Sequence, residues 1–504
     1  MSVDAAIPEA PKPAESAAKI VGRGVMFIGF AKVYFMLTGT VQRLALMHLI
    51  SPADMGDFSA VNNLLNVPNN TIVQGTIQSI SKPTSEDDTR AGAVQRAGVR
   101  LGTILGLLIA LGLFAAAPIF AGVYRTPRLT TFTRIAALIP FCYAIYSVFV
   151  GSANGLRRFR TQASFDVGFS TMKTVLLLGL AFAFGVGGAF AGFVAAAAAI
   201  VVIAWRVMRL PATGERFPVR QFAGFMGAIV AYTALLNCTL NFDGHMLRLF
   251  ALRVPGTDPV AAAALQGNYE ALRTVALLPY QALLVVTFVI FPLVSRATFA
   301  ADREATRAYV SQTMRYALIL AGAMGIVLAA RPSALFDTIY KPEYRVGAPA
   351  LPILAAGECC LALLSVSCSI LNASGRAVAS LAIMGVTAAL MTAGIAVGVP
   401  RAGTGAPMLI ATATATAGAA GVGLVAALVV LRARLGGLPP VATVARVALA
   451  LAVALAAARV VPGHGKIVGF AVMALTGIAY VAVLVVTREF GAEDRAKFGK
   501  VFKR

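Results

Sequence analysis

Two cations at helical spacing stand out in an apolar stretch near the start of the chain. Lys32 and Arg43 are eleven residues apart, so at about 100° per residue they project from one helical face together with Met36 and Gly39. A charge left unpaired inside a membrane costs at least about 2.5–3.5 kcal/mol. The spacing therefore predicts a two-cation stripe that faces a partner or water. Snorkelling of Lys32, or its pairing with an Asp elsewhere, is the structural alternative.

The next apolar segment carries a row of carboxamides. Their spacing of three and four residues is that of one helical face. The members are Asn63, Asn66, Asn70, Gln74 and Gln78, with Asn62 and Asn69 beside them. Such a face is not expected to contact lipid, because amides need hydrogen-bond partners there. The pattern predicts either a polar cavity wall or interhelical hydrogen bonding without ligand contact.

Two segments in the second half of the chain are polar in a similar way. The seventh places Asn237, Asn241, His245 and Arg248 on one face and Asp243 on another, and the eighth carries Asn268, Tyr269, Glu270, Arg273, Thr274 and Gln281. A local ion pair between Glu270 and Arg273 is the alternative to a functional role for these two side chains. Isolated charges elsewhere are expected to be structural or interfacial, namely Arg134, Lys173, Glu358 and Arg446.

The polar segments match each other through an internal repeat. Met55-Gly56-Asp57-Phe58 and Gln266-Gly267-Asn268-Tyr269 are 211 residues apart, and the same offset relates Pro68 to Pro279. A duplicated helical bundle is the simplest origin of such a repeat, and transporters commonly bind their substrate between two such bundles. The matched prolines would free backbone carbonyls in mid-helix, so they are predicted to be hinges.

The composition defines the elements that carry these residues. Of 504 residues, 59% are hydrophobic and 13% are charged, which is typical of a polytopic all-α membrane protein. The apolar runs predict about 14 transmembrane helices. They begin near Val21, Phe58, Val99, Thr133, Phe165, Gly188, Phe222, Ala263, Tyr316, Leu351, Val378, Pro407, Val441 and Ile467. Basic residues concentrate on the side of the amino terminus, which predicts that both termini are cytoplasmic.

The repeat and the charge pattern together predict the domain organisation, with two pseudo-symmetric six-helix lobes and two carboxy-terminal helices. The predicted parts are a disordered cytoplasmic lead (1–20), an N-lobe (21–208), a cytoplasmic linker (209–221), a C-lobe (222–432), two further helices (433–487) and a basic cytoplasmic tail (488–504). The basic clusters that flank the spans explain most of the net charge of +22.

Other function classes find little support in the sequence. The five cysteines fall inside predicted spans without a CxxC pair, so neither a metal nor a disulfide is expected. The three histidines form no HExxH motif, no phosphate-binding loop is present, and no cofactor is expected. The basic residues flank spans without aromatic interleaving, which disfavours nucleic acid as a partner.

Several short motifs, in order, resemble the multidrug/oligosaccharidyl-lipid/polysaccharide (MOP) exporter superfamily, and within it the polysaccharide-repeat-unit flippases of bacterial inner membranes. They are Leu49-Ile50-Ser51-Pro52-Ala53-Asp54-Met55-Gly56-Asp57-Phe58, Gly155-Leu156-Arg157-Arg158-Phe159, Asn241-Phe242-Asp243, Gly267-Asn268-Tyr269, Phe291-Pro292-Leu293-Val294-Ser295 and Asn372-Ala373-Ser374-Gly375-Arg376. The likeness extends from about Gly24 to about Arg432. The run of Asn and the lack of a charge quartet like that of the lipid II flippases depart from the usual pattern.

The resemblance implies two lobes around a V-shaped cavity and a non-enzymatic flippase of the inner membrane. Its substrate would be an oligosaccharide linked to undecaprenyl pyrophosphate, moved from the cytoplasmic to the outer leaflet by alternating access. We expect Lys32, Arg43, Arg248 and Arg273 to bind the pyrophosphate. The carboxamides of Asn62, Asn63, Asn66, Asn70, Gln74 and Gln281 would bind sugar hydroxyls.

Alternatives remain open at this stage. Asp57, Asp243 and Glu270 could bind a coupling H+ or Na+. A cation-coupled multidrug antiporter and a lipid II flippase share the expected fold, whereas a membrane scaffold without transport activity and a membrane glycosyltransferase come from other classes. The expected partners are membrane lipids, the lipid-linked glycan, a polysaccharide polymerase and glycosyltransferases.

Overall fold

A computed structural model describes residues 15–211, 235–284, 302–461 and 465–491, together with residues 294 and 298. Five predictions fall partly or wholly outside these residues: the lead at 1–14, the linker at 212–221, the start of the seventh span at Phe222, most of the motif at 291–295 and the tail at 492–504. The described part is helical and contains no strand. This confirms an all-α fold.

The first half of the chain forms six helices. They are α1 (Glu15–Leu49), α2 (Pro52–Glu86), α3 (Ala91–Val123), α4 (Arg128–Ala136), α5 (Leu138–Gly155) and α6 (Phe159–Met208). The 50-residue α6 contains non-helical backbone at Phe184 and Gly185, where Gly185 has φ +60°. This break lies between the starts of the fifth and sixth predicted spans, near Phe165 and Gly188. Helix α1 begins six residues before the predicted start near Val21.

The second half contains nine further helices in its described part. They are α7 (Asp243–Ala251), α8 (Pro259–Ala276), α9 (Arg303–Ala330), α10 (Pro332–Ile339), α11 (Leu351–Ala373), α12 (Ala377–Arg401), α13 (Ala406–Leu435), α14 (Val441–Val460) and α15 (Lys466–Val486). Residues 235–241 and 278–284 are also helical. Helix α8 starts on Pro259, with Asp258 accepting from the Ala261 amide at 2.7 Å as its N-cap.

The membrane character of the chain follows from the helices themselves. Nine helical segments of the described residues are long and apolar enough to cross a membrane. Helices α2 and α8 are not among them, because their described residues carry the polar side chains identified above. The chain is a multi-pass membrane protein, and the total of 14 spans stays a prediction.

The two predicted lobes meet through paired glycines. A Cβ atom added to Gly56 would lie 1.9 Å from the carbonyl oxygen of Ala263, and one added to Gly267 would lie 1.8 Å from that of Pro52. The repeat offset of 211 residues relates Gly56 to Gly267 and Pro52 to Ala263, so the two contacts are equivalent under exchange of the lobes. Such a pair of equivalent contacts is expected where a pseudo-twofold axis passes through an interface.

Among the described residues, the hydrophobic core that combines both lobes has its C-lobe members at the end where α1 ends and α2 begins. One core combines N-lobe residues such as Phe58 and Phe149 with C-lobe residues from α7, α8 and the start of α11. Other parts of the C-lobe, including the rest of α11 and Leu431, pack in a separate core. We call the joined end, where α1 ends and α2 begins, the closed end, and the opposite end, where α2 terminates at Glu86, the open end.

Helices α14 and α15 contact α9 of the C-lobe through hydrogen bonds and ion pairs. The Tyr480 hydroxyl donates to the Ile319 carbonyl at 3.0 Å. Just after α15, the Glu489 carboxylate accepts from Arg315 at 2.7 Å, Arg446 at 2.8 Å and the Thr443 hydroxyl at 2.7 Å. Burial alone would raise the pKa of Glu489, but these donors hold it below its ordinary value. Arg446 therefore has the structural role expected of it.

We expect Glu489→Gln to lower the melting temperature in detergent at neutral pH. A carboxyl group whose pKa is depressed by folding stabilises the protein above its unfolded-state pKa, and the contribution is lost as the pH falls through the folded-state value. The difference in melting temperature between wild type and variant should thus shrink in acid. Glu343→Gln, at an exposed carboxylate, is the matched control. A difference in melting temperature that does not change with pH would contradict a stabilising role of the ionised Glu489 carboxylate.

We also expect Gly267→Ala to separate the lobes at the closed end, because its Cβ would overlap the Pro52 carbonyl oxygen. The measurement is alkylation of a Ser59→Cys variant, since Ser59 is 2% exposed one turn beyond Gly56. Reactivity should be low in the parent and rise with Gly267→Ala. Gly112→Ala in α3 is the control, because no atom lies within 4 Å of its added Cβ. Equal reactivity in all three proteins would show that the glycine contact is not required for closure.

Candidate functional site

The carboxamide row of α2 runs from a buried to an exposed environment. Asn63 is 1% exposed near the closed end, Asn62 and Asn66 are half-buried, and Asn70, Gln74 and Gln78 are exposed toward the open end. Asn66 donates to Asn63 at 3.4 Å, and Asn70 donates to Asn237 of the C-lobe at 2.6 Å. The exposure of the row therefore increases from the closed end toward the open end. Interhelical hydrogen bonding, the alternative, accounts for only part of it.

The two cations of α1 lie on the side opposite its exposed apolar stripe of Phe30, Val33, Leu37 and Val41. Lys32 forms an ion pair with Asp166 of α6 at 2.8 Å, and 49% of its side chain is exposed. The Arg43 side chain is 31% exposed and lies 3.7 Å from Glu270 of the C-lobe. The predicted stripe is thus present, and the Asp partner considered for Lys32 is Asp166.

The other two predicted cations are buried in ion pairs. Arg248 is 0% exposed and pairs with Asp57 of α2 at 2.8 Å. It also donates to the Thr126 hydroxyl at 3.0 Å, and its guanidinium lies 4.9 Å from the centre of the Tyr124 ring. Arg273 is 4% exposed and lies 3.5 Å from Asp243. In this conformation neither arginine faces open space, unlike Lys32 and Arg43.

Two ion pairs connect the lobes reciprocally. Arg43 of α1 reaches Glu270 of α8, and Arg248 of α7 reaches Asp57 of α2. In each pair the first helix of one lobe provides the arginine and the second helix of the other lobe provides the carboxylate. Burial makes such pairs sensitive to the loss of either partner, because the remaining charge has no water to solvate it. These contacts, with the paired glycines, lock the closed end.

The predicted coupling carboxylates all have arginine partners. Asp57 pairs with Arg248 and, at 2.5 Å, with Arg128 of its own lobe. Asp243 also accepts from the Tyr269 hydroxyl at 2.9 Å. Glu270 and Arg273, proposed above as a local pair, each pair with a different residue.

The predicted hinge prolines differ in their surroundings. Helix α2 continues through Pro68. By contrast α8 ends at Ala276, and a turn at Leu277 precedes the helical residues that contain Pro279. Gln281, four residues beyond that turn, is half-buried. The eighth segment is therefore already interrupted where the repeat places its proline.

Sequence reasoning missed Arg128 and Asp166, and it set Lys173 aside. Arg128 also pairs with Asp54 at 2.9 Å, so it joins the start of α4 to the start of α2. Its sequence signal was the occurrence of Asp54, Asp57 and Arg128 at span ends on the same predicted side. Lys173 lies over the rings of Phe35 and Phe193, which hold it inside the N-lobe.

Comparison with known proteins identifies the family. A family model described as polysaccharide biosynthesis protein matches residues 45–346, more than half of the chain. The chain belongs to this family. A stretch of 106 residues is also 32% identical to the uncharacterized membrane protein MJ1068 of Methanocaldococcus jannaschii, where the match spans 21% of either protein.

Solved structures show how this member of the polysaccharide biosynthesis family is folded. The lipid II flippase MurJ, in an inward closed conformation, is similar over 92% of this chain and 99% of MurJ, with a TM-score of 0.73 at 11% identity. A multidrug resistance transporter of the MATE family is similar in inward-facing form (81% of this chain, 98% of that one, TM-score 0.64, 14% identity) and an outward-facing structure also matches (82%, 95%, 0.60, 17%). At 11–17% identity, this likeness shows that the chain has the same helical fold as these transporters.

We expect Asp57→Asn to lower the free energy of unfolding by about 3–5 kcal/mol, because the fully buried Arg248 would lose its carboxylate partner. Denaturant unfolding in detergent measures this loss. Asp337→Asn removes the partner of Arg345, whose side chain is 60% exposed, and should cost at most about 1 kcal/mol. Losses of similar size in the two variants would argue against a buried inter-lobe ion pair.

Proposed function

We propose that this protein is a flippase that moves an oligosaccharide linked to undecaprenyl pyrophosphate from the cytoplasmic to the outer leaflet of the bacterial inner membrane. The membership in the polysaccharide biosynthesis family and the MOP fold support a transport role. The distribution of basic residues supports cytoplasmic termini, so the open end faces the cytoplasm and the closed end faces outward. The described conformation is then the one that accepts substrate.

The exposure gradient along α2 is the observation that carries this proposal. Amides within a membrane need partners, and a helix that exposes Asn70, Gln74 and Gln78 while burying Asn63 lines a water-filled space closed at one end. A space that opens to one side is what alternating access requires. The reciprocal ion pairs and the paired glycines provide the barrier on the other side.

The chemistry of the lining supports a glycan linked to an anion. Carboxamides both donate and accept hydrogen bonds, as sugar hydroxyls do. Lys32 and Arg43 are the two predicted cations that face open space, and they lie on the same face of α1. Cations strengthen hydrogen bonds to phosphate oxygens, more so at low local dielectric. The lipid tail can stay in the bilayer between the lobes, so that it needs no pocket of its own.

Transport coupled to H+ or Na+ is part of the proposal, with Asp57, Asp243 and Glu270 as the carboxylates concerned. Each pairs with an arginine here, so a coupling ion would replace that arginine, and exchange at Asp57 or Glu270 would free the closed end. A multidrug antiporter for cationic compounds is less well supported, because these carboxylates are already neutralised. Glycosyltransferases and a polymerase are the proposed partners of the pathway.

The test is transport in proteoliposomes that contain an undecaprenyl-pyrophosphate-linked oligosaccharide with a fluorescent sugar. Inter-leaflet transfer, measured by accessibility of the sugar to a lectin, should be faster than in protein-free vesicles. Arg43→Ala should slow it about tenfold or more, since a hydrogen bond to a charged group contributes about 1.5–3 kcal/mol. Arg459→Ala, at an exposed arginine near the end of α14, should transport normally. Transfer no faster than in empty vesicles would refute the proposal.

A further inference from the structure

Lys173 lies inside the N-lobe on the side of α6 that faces away from lipid. The exposed stripe of this helix contains Ser164, Gly168, Val175 and Phe182. At about 100° per residue, Lys173 projects nearly opposite to that stripe. It is only half-buried, and its ammonium group lies 5.4 Å from the centre of the Phe35 ring and 5.0 Å from that of Phe193. The two rings hold the cation in place while one side stays accessible.

The charge of Lys173 is not neutralised by a carboxylate. Within the described residues no acidic side chain forms an ion pair with Lys173. By contrast, Lys32, which also lies between α1 and α6, pairs with Asp166. Arg43 lies about two turns after Phe35 on α1 and adds a second positive charge in this part of the N-lobe. Arg43 in turn has a loose partner, Glu270, at 3.7 Å. Arg43 and Lys173 therefore lie in one region of the N-lobe, and the carboxylate that pairs with Arg43 belongs to the other lobe.

Such an arrangement is electrostatically unfavourable without a further anion. Like charges repel more strongly at low dielectric, and aromatic rings stabilise a cation less than a contacting carboxylate does. An anion with two charged groups would bring both cations into favourable contact. Arginine offers a planar fork for phosphate oxygens, and lysine provides a compact point charge.

We propose that Arg43 and Lys173 form a clamp for the diphosphate of a lipid-linked substrate, and that its binding draws Arg43 away from Glu270. This inference rests on the proposed function and identifies the anion-binding residues of that site. Between the Lys32–Asp166 ion pair and Lys173, Thr38 of α1 contacts Ser170 of α6. The headgroup would thus pass a neutralised lysine and stop at an unneutralised one.

The clamp connects binding with opening of the closed end. The Arg43 to Glu270 contact is one of the two reciprocal ion pairs between the lobes. A diphosphate that competes for Arg43 removes this pair and leaves only the Asp57 to Arg248 pair. Because a ligand shifts a conformational equilibrium only through differential interactions, competition for a gate residue provides the required difference. The substrate would in this way loosen the barrier through which it leaves.

The test is isothermal titration of the full-length protein in detergent with farnesyl diphosphate, a short polyprenyl diphosphate. Lys173→Met should weaken binding about tenfold or more, and Lys173→Arg should restore it to within about threefold of wild type. Glu270→Gln should have the opposite effect and tighten binding, because the competitor for Arg43 is neutralised. Lys466→Met, at an exposed lysine at the start of α15, should bind as wild type does.

The outcomes separate this inference from the proposed function. Unchanged affinity in Lys173→Met, with wild-type binding intact, would overturn the clamp and leave the flippase proposal standing. Weaker or equal binding in Glu270→Gln would overturn the competition for Arg43. Equal affinity for inorganic pyrophosphate would contradict a lipid-linked ligand. No binding of farnesyl diphosphate to the wild type, when transport of the lipid-linked oligosaccharide is intact, would refute the clamp alone, and loss of both would refute both.

Discussion

The structure depends on a single constraint, which is that charge buried at membrane depth must meet opposite charge. At the closed end this is achieved between the lobes, because Arg248 and Asp57 come from different halves of the repeat, as do Arg43 and Glu270. Neither lobe alone can neutralise these arginines in the described conformation. The paired glycines make the arrangement feasible, since only residues without Cβ let the two backbones approach closely enough for the side chains to meet. Closure is therefore both a packing contact and an electrostatic one.

The same helices serve two purposes along their length. Near its start α2 contributes Gly56 and Asp57 to a dry contact, and toward its end it exposes amides. The proposed transport by rigid-body rocking would need this difference, because one end of the interface must separate while the other closes. The hydrophobic cores agree, with one core shared by both lobes at the closed end and a separate core within the C-lobe.

Much of this could be predicted from the sequence, and the limit has a physical cause. Helix existence and the polar faces follow from periodicities within single helices, and the 211-residue repeat matches Gly56 with Gly267 without showing that they touch. Pairing could not be predicted in this way, since periodicity shows which side of a helix is polar but not which helix faces it. Asp166 and Arg128 escaped notice because their partners are distant in the chain. Lys173 is isolated in the sequence because its neighbours in the structure are aromatic rings and not charged side chains.

The distribution of unneutralised charge assigns different tasks to the two lobes. In the C-lobe Arg248 and Arg273 are buried and paired with carboxylates, so they are already engaged in structure. In the N-lobe Arg43 and Lys173 remain accessible, with Glu270 of the opposite lobe as a loose partner for Arg43. In the proposed mechanism, an anion that enters from the open end would meet attractive charge on the N-lobe, and the carboxylate that it would displace from Arg43 belongs to the C-lobe. Binding to one lobe at the expense of its contact with the other weakens the interface that holds the two together.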